Sequence, residues 1–204
     1  MSDSAWIPRT IHQVETEERG SRFLASAVPL GASDDVKALI AEEKDQHPKA
    51  SHVAYAWRLS DSATGSLSEG FSDDGEPGGT AGMPMLKVLQ HECATNLLIM
   101  VTRYFGGTKL GTGGLQRAYG GACSAVIKSI TNESRKPWVR LQRCSIEGEY
   151  QHEGAVRALI ADSGGMVFDT CYSETGVEIH ADLPNKHITE IRNNLPHFLR
   201  LKLH

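Results

Sequence analysis

The sequence predicts an α+β protein built from two domains. Its last part, about 65 residues, follows the order β-α-β-β-α-β, which is the split βαβ arrangement of the ferredoxin-like fold. The chain has 204 residues, and such a length favours two small domains over one large domain. Polarity rises and a proline intervenes in N-E-S-R-K-P-W, residues 132–138. We therefore predict domains at 1–135 and 136–204, with the ferredoxin-like domain second.

The first domain is predicted to begin with a hairpin and a helix. Two runs of alternating apolar residues within 10–30 flank E-R-G-S-R and predict two strands that turn near Gly20. Ser33 then precedes two acids and an apolar segment with lysines towards its end. This pattern predicts a helix from Ser33 to about Asp45, with the serine as its N-cap.

The middle of the first domain alternates between strands and a glycine-rich loop. Alternation predicts a strand over 52–59, and E-G-F-S begins a second, shorter strand. Glycines and prolines exclude regular structure between Gly75 and Gly82, so we interpret S-D-D-G-E-P-G-G-T-A-G-M-P as an ordered functional loop. P-M-L-K-V-L-Q-H-E-C then predicts a helix. The continuous apolar run N-L-L-I-M-V-T-R-Y-F predicts a strand that is buried on both faces.

The second domain shows the clearer periodicity. L-Q-R-C-S-I-E-G-E-Y predicts a strand, and Q-H-E-G-A-V-R-A-L-I-A-D predicts a helix that ends at a pair of glycines. M-V-F-D-T-C-Y-S-E and G-V-E-I-H-A-D-L predict two strands. N-K-H-I-T-E-I-R-N-N-L predicts a second helix, and F-L-R-L-K-L predicts the closing strand.

Composition narrows the classes of function. The net charge of −4 argues against a chain that binds nucleic acid over its whole surface, so any anion site must be local. No apolar run approaches the roughly 20 residues that a membrane span needs, and the N-terminus is too polar for a secretory signal. The four cysteines are far apart and form no CxxC pair, which favours reduced thiols and predicts a cytoplasmic location.

A glycine-rich stretch at residues 103–122 is the main candidate for a binding site. R-Y-F-G-G-T-K-L-G-T-G-G-L-Q-R-A-Y-G-G-A leads from a buried strand into a helix that should start near Gly113, and the acid-free interval from Cys93 to Asn132 carries four cations. Free amides and the positive end of a helix dipole favour anions there. The predicted anion or nucleic-acid site comprises Arg103, Lys109, Thr112, Gly113, Gly114 and Arg117, with Arg22 of the first hairpin assisting.

A structural interpretation of the same stretch stays open. Paired glycines also let a helix pack tightly on a sheet, while Lys109 and Arg117 simply face water. Two phosphate-binding fingerprints are not met: Lys109 is followed by Leu110 rather than by Ser or Thr, and Gln116 stands where a dinucleotide fingerprint started at Gly111 needs glycine. We therefore predict no cofactor.

The acidic loop is the second candidate. It places Asp73, Asp74 and Glu76 within four residues, near Thr80 and with His52 as a further member. Such oxygen ligands suit Mg²⁺ or Ca²⁺, although the D-x-D-x-D-G pattern is not met. The carboxylates also suit capping of the turn or pairing with the cations of the glycine stretch. Motifs for nucleophilic catalysis or zinc hydrolysis are missing from the sequence, so no catalytic residue is assigned.

Two long motifs of the first domain together resemble the IMPACT family: S-D-D-G-E-P-x-G-T-A-G-x-P and R-Y-F-G-G-x-K-L-G-T-G-G-L-x-R-A-Y. The two-domain layout resembles the bacterial, YigZ-like branch of that family. The resemblance implies that the first domain has the βαβ-type fold of the second domain of a small-subunit ribosomal protein. It implies that the second domain is similar to the last domain of elongation factor G. Eukaryotic members of the family are similar to regulators of translation that act under amino-acid starvation.

The leading hypothesis is a non-enzymatic, cytoplasmic binding protein linked to translation, whose ligand is RNA or a ribosomal surface. RNA is met mainly through shape, phosphates and 2′-hydroxyls, which suits a basic glycine loop. Two other classes stay open. One is an enzyme that acts on a phosphorylated small molecule or nucleotide with the acidic loop as its site. The other is a module that binds a protein partner in translation control. No membrane partner is predicted.

Overall fold

The structure, a computed structural model, describes residues 5–31 and 33–204 and all of their side chains except that of Asn194. The chain divides into two compact units. The first comprises Met1–Ser60 and Leu67–Trp138, and the second comprises Asp61–Ser66 and Val139–His204. Within the described ranges, no helix is both long and apolar enough to cross a membrane.

Among the described residues, the first unit contains seven strands, five of which form one sheet, and three α-helices. Its strands are β1 (Trp6–Pro8), β2 (His12–Glu18), β3 (Ser21–Pro29), β4 (His52–Ser60), β5 (Leu67–Ser72), β6 (Leu97–Tyr104) and β7 (Arg135–Pro137). Its helices are α1 (Val36–Gln46), α2 (Gly82–His91) and α3 (Gly111–Ser129). The sheet order is β2-β3-β6-β4-β5, with antiparallel neighbours throughout. β1 and β7 form a separate antiparallel pair.

The connections make two split βαβ units. β3 and β4 are parallel to each other because both are antiparallel to β6, which lies between them, and α1 connects them. In the same way α2 connects β5 to β6 across β4. The βαβ-type arrangement expected for the first domain is therefore present, and the α+β fold class is confirmed.

The sheet of the first unit is covered on both faces. One core packs β3, β4 and β6 against α2 and α3, and includes Phe23, Leu89, Ile99, Tyr119 and Ile127. The opposite face packs Leu98 and Met100 of β6 against Ile40 of α1. Seven of the eight residues of β6 are buried, as a strand packed on both faces requires.

Two helix boundaries differ from the prediction. The cap of α1 is Asp35, whose carboxylate accepts from the amides of Lys37 and Ala38, and the helix begins at Val36 rather than at Ser33. α3 begins at Gly111 rather than near Gly113, so most of the glycine stretch is helical. Glycine opposes helix formation, but burial of Leu115 and Tyr119, which lie one turn apart, stabilises the helix against the sheet.

The second unit has the predicted order of elements. They are β8 (Leu141–Gly148), α4 (Glu153–Asp162), β9 (Met166–Tyr172), β10 (Val177–Pro184), α5 (Asn185–Asn194) and β11 (Arg200–Leu203). The sheet order is β11-β8-β10-β9, with every neighbouring pair antiparallel. This is the topology of the ferredoxin-like split βαβ unit.

Candidate anion-binding cleft

The acidic loop and the glycine stretch meet at one cleft of the first unit. A cavity of about 390 Å³ lies between the loop after β5 and the first turn of α3, with mostly apolar walls. Residues of both motifs line it: Glu76, Pro77, Arg103, Phe105, Lys109, Leu110, Gly111, Thr112 and Leu115. The two motifs, separate in sequence, therefore contribute to a single site.

Arg103, near the end of β6, is the buried cation of this cleft. Its Nη1 donates to Glu76 Oε1 at 2.6 Å and its Nη2 to the Ser21 hydroxyl at 3.5 Å. The rings of Phe23 and Phe105 lie 5.6 and 5.5 Å from its guanidinium carbon. Only 7% of the side chain is exposed, and its Nε has no hydrogen-bond partner among residues 5–31 and 33–204. Arg103 is thus held in place, with its buried Nε–H unpaired among the described residues.

Glu76 brings Arg103, Tyr119 and the partly buried His52 into one polar cluster. Besides the guanidinium, the Tyr119 hydroxyl donates to its Oε1 at 2.8 Å, and His52 Nε2 lies 4.0 Å from the same oxygen. His52 Nδ1 donates to the Asp74 carbonyl at 2.7 Å, so that nitrogen carries a proton. Burial, followed by the negative charge of Glu76, raises the pKa of Tyr119 well above its usual range. Tyr119 therefore remains a neutral hydrogen-bond donor.

The N-terminus of α3 borders the cavity, and it is the positive end of the helix dipole. The first amides of a helix have no acceptor within the helix, and Leu110 at the cap position supplies no side-chain oxygen. Lys109 and Arg117 are exposed, and neither forms an ion pair with any residue that the structure describes. A Cβ added to Gly113 would lie 3.6 Å from an Arg117 Nη, which places this guanidinium over the first turn.

The glycines of the stretch serve different purposes. A Cβ on Gly106 would lie 1.9 Å from the carbonyl oxygen of Gly20, so glycine is required there for the close approach of β6 to the β2–β3 turn. At Gly113 only the Arg117 guanidinium would come within 4 Å. Packing against the β2–β3 turn therefore explains Gly106, which lies outside α3, whereas packing does not explain Gly113 in the first turn of that helix.

Arg22 does not join the other predicted cations, which corrects the expectation that it assists them. In the register of β3 and β6, Arg22 lies opposite Tyr104, and Phe23 lies opposite Arg103. Successive strand residues point to opposite faces of a sheet, so Arg22 lies on the α1 face. There its guanidinium packs over the Tyr104 ring at 5.1 Å and lies 3.4 Å from Glu15.

Asp73 is a structural residue of the acidic loop. Its carboxylate accepts hydrogen bonds from the amides of Gly79, Ala81 and Gly82, at 2.8, 2.9 and 2.9 Å, and so caps the start of α2. Desolvation raises the pKa of Asp73, but the three backbone hydrogen bonds together lower it below its ordinary value. The capping interpretation of the acidic loop therefore holds at this residue.

Asp74 and Thr80 also have protein partners. Asp74 accepts from Lys44 Nζ at 2.5 Å and from the amide of Val53 at 2.7 Å. The Thr80 hydroxyl donates to the Pro77 carbonyl at 2.6 Å within the loop. These contacts hold the loop against β4 and α1. They account for the carboxylates of Asp73 and Asp74 and the hydroxyl of Thr80 by bonds within the protein, as the structural interpretation of the loop expects, and the polar or metal site stays a prediction.

Phe105 is a residue of the cleft that the sequence prediction missed. It follows β6 directly, lines the cavity and remains 48% exposed. One side of its ring faces the Arg103 guanidinium at 5.5 Å. The sequence signal is an aromatic residue placed immediately after the buried strand, in R-Y-F-G-G.

Comparison with known proteins places both motifs within a known family domain. A family profile described as the Impact N-terminal domain matches residues 19–127. "IMPACT family member YigZ" of Escherichia coli (strain K12) is 32% identical over 198 residues, which cover 97% of this chain and 95% of that protein.

Two solved structures are similar to the chain to different degrees. A crystal structure of a hypothetical protein superposes with a TM-score of 0.72 at 32% identity, covering 98% of this chain and 97% of that one. A structure of the two-domain translational regulator Yih1 covers 64% of this chain and 50% of that chain, with a TM-score of 0.39 and 23% identity.

Proposed function

The chain belongs to the IMPACT family, and on that premise we propose that it is a cytoplasmic, translation-linked binding protein whose cleft contacts RNA phosphates, including those on a ribosomal surface. The proposed ligand-binding groups are Arg103, Lys109, Thr112, Gly113, Gly114 and Arg117. No catalytic step is part of the proposal.

The observation that carries the proposal is the convergence of free donors at the cleft. The start of α3 presents amides, Lys109 and Arg117 lie exposed without acidic partners among the described residues, and Arg103 keeps one buried donor. The cavity wall holds two cations, Arg103 and Lys109, and one carboxylate, that of Glu76, and Arg117 lies over the first turn of α3. A helix N-terminus with such neighbours binds phosphate oxygens favourably.

The apolar walls of the cleft suit a nucleoside next to the phosphate. Phe105 offers an exposed ring at the edge of the cavity, and a base stacked on an aromatic side chain is stabilised by about 1–3 kcal/mol. Stacking of this kind tolerates any base because every base has a π-face. The geometry therefore supports contact with an unpaired nucleotide in structured RNA without selection for sequence.

Binding to structured RNA and to ribosomes, measured at increasing salt, tests the proposal. We expect log K to fall linearly with log[salt], and Lys109→Ala/Arg117→Ala to reduce the slope by about 1.4–1.8, since each phosphate contact contributes about 0.7–0.9. Lys87→Ala/Lys128→Ala is the matched control because both lysines are exposed in the same unit and their loss changes the net charge equally. Equal slopes for the two double variants, or no binding at low salt, would contradict the proposal. RNA-independent capture by a protein partner would favour the protein-binding class instead.

A small-molecule enzyme is the second candidate, and the size of the cavity favours it. The volume of about 390 Å³ lies in the range of about 300–1,000 Å³ that is usual for ligand pockets. In this reading the helix start and Lys109 hold a substrate phosphate beside Glu76 and His52. A nucleotide or phosphorylated metabolite at 100 times its dissociation constant should stabilise the fold by about 2.7 kcal/mol. If neither class of ligand raises the melting temperature, this candidate is eliminated.

A further inference from the structure

The second unit carries a cluster of titratable side chains on the sheet face opposite its core. Burial alternates along β10, where Val177 and Ile179 belong to the core. Glu178 and His180 therefore point to the other face, because successive strand residues alternate. His204, which follows β11, lies on the same face beside them. Two imidazoles and one carboxylate from two parts of the chain thus come together.

The spacing of their potential ligand atoms is close to that of a metal site. One ligand atom of each residue lies within 4.8 Å of the others. The distance between His180 Nε2 and Glu178 Oε2 is 3.9 Å, and the two imidazole centroids are 6.0 Å apart. Metal–nitrogen bonds of about 2.0–2.1 Å in a tetrahedral site place the ligand atoms about 3.3 Å apart. Small rotations of side chains that are partly or fully exposed close the difference.

Ser145 of β8 contacts the cluster through a hydrogen bond with His204. It is fully buried, and its hydroxyl lies 3.1 Å from His204 Nε2, which leaves Nδ1 as the nitrogen free to bind. Lys202, the nearest ammonium, is paired with Glu147, so its repulsion of a cation is partly compensated.

We propose that Glu178, His180 and His204 bind a divalent transition metal of the zinc class, with an open fourth position. Two imidazoles with one carboxylate are ligands typical of zinc and its neighbours, whereas Mg²⁺ and Ca²⁺ prefer oxygen ligands alone. A cavity of about 510 Å³ borders Glu178 and His204 is exposed, so the proposed site is open to water or a small ligand. Three protein ligands with an open position are the arrangement of zinc sites that act on a bound molecule.

Metal titration of the full, tag-free chain after treatment with a chelator tests this site. Co²⁺ should bind in a 1:1 ratio with visible absorption bands of a low-coordinate complex, and calorimetry should show Zn²⁺ binding at the same stoichiometry. Glu178→Gln, His180→Ala and His204→Ala should each weaken binding by at least about 100-fold, and Ser145→Ala, which removes a positioning contact, by about 10-fold.

His187→Ala is the matched control. His187 lies on α5 of the same unit, 3.6 Å from Glu190, and so forms a His–carboxylate pair outside the proposed cluster. We expect no change in metal affinity for this variant. Circular dichroism and the melting temperature of each metal-free variant verify that it is folded. Lack of Co²⁺ bands, or equal affinities of His180→Ala and His187→Ala, would overturn the assignment, and neither result would bear on the cleft of the first unit.

Discussion

Glu76→Gln removes the charge that compensates the buried guanidinium of Arg103 and should destabilise the first unit strongly. The two side chains are 4% and 7% exposed and their atoms are 2.6 Å apart. Removing one partner of such a pair leaves an unpaired buried charge, which typically costs about 3–5 kcal/mol. Tyr119 loses a charged acceptor as well. Because small domains have only about 5–15 kcal/mol of stability, the loss should be a large fraction of the total.

Urea denaturation followed by tryptophan fluorescence and circular dichroism measures the effect. Glu15→Gln is the matched control, since Glu15 is 3.4 Å from Arg22 and both side chains are more than half exposed. Both substitutions remove one negative charge, but an exposed ion pair contributes only about 0–1 kcal/mol to stability. The expected difference between the two variants is therefore about 2–5 kcal/mol.

The second arm of the experiment uses Arg103→Met together with Glu76→Gln. Removing both charges should recover much of the lost stability, because an apolar pair avoids the desolvation penalty. Glu76→Gln alone should also increase the affinity of the cleft for inorganic phosphate, since the Arg103 charge is no longer compensated. A loss below about 1 kcal/mol, or a double variant less stable than Glu76→Gln, would refute the assignment of a coupled buried pair.

Two further predictions concern the loop and the glycines. Asp73→Asn keeps Oδ1 as the acceptor for Ala81 and Gly82 but places an amide NH₂ against the N–H of Gly79, and the loss of this hydrogen bond to a charged group should cost about 1–3 kcal/mol. Because the pKa of Asp73 is lowered from 3.8, the contribution of its charge is complete above that value and is lost as the pH falls, so the variant should show a flatter stability profile below about pH 4. Gly106→Ala places Cβ 1.9 Å from the Gly20 carbonyl oxygen and should lower the free energy of unfolding by at least about 2 kcal/mol. Gly121→Ala is the control: a Cβ there meets nothing within 4 Å and should stabilise α3 by about 0.5–1 kcal/mol. Urea denaturation measures both glycine variants, and similar effects of the two would contradict the packing of Gly106.

Helices and strands were most predictable where apolar residues recur with one clear spacing along the sequence. β10 alternates buried and partly buried residues along almost its whole length, and the ferredoxin-like unit follows from such segments. The start of α1 was less predictable because Ser33, Asp34 and Asp35 are all suitable caps, and tertiary structure selects the third. The sequence predicts a later start for α3 than the structure shows, because glycine has a low helix propensity and burial of one face of the helix overrides it.

The cleft was predictable in part. The interpretation that a carboxylate of the acidic loop pairs with a cation of the glycine stretch holds for Glu76 and Arg103. The grouping of Arg22 with Arg103 fails because the faces of two strands depend on their register, which a single sequence does not reveal. Phe105 was missed because an exposed aromatic residue has no signature until its neighbours are known.

The buried pair of Glu76 and Arg103 bears on function as much as on stability. Apolar residues of similar volume usually replace such a pair without loss of stability, so stability alone does not account for a guanidinium at the wall of a cleft with one donor unpaired among the described residues. An unpaired buried donor costs about 1–3 kcal/mol, and the fold carries this cost at the cleft. Glu76 at the same time offsets part of the positive charge, which weakens attraction to phosphate in general. Under the proposed function, the affinity of the cleft then depends on whether a ligand also reaches the α3 amides, Lys109 and Arg117.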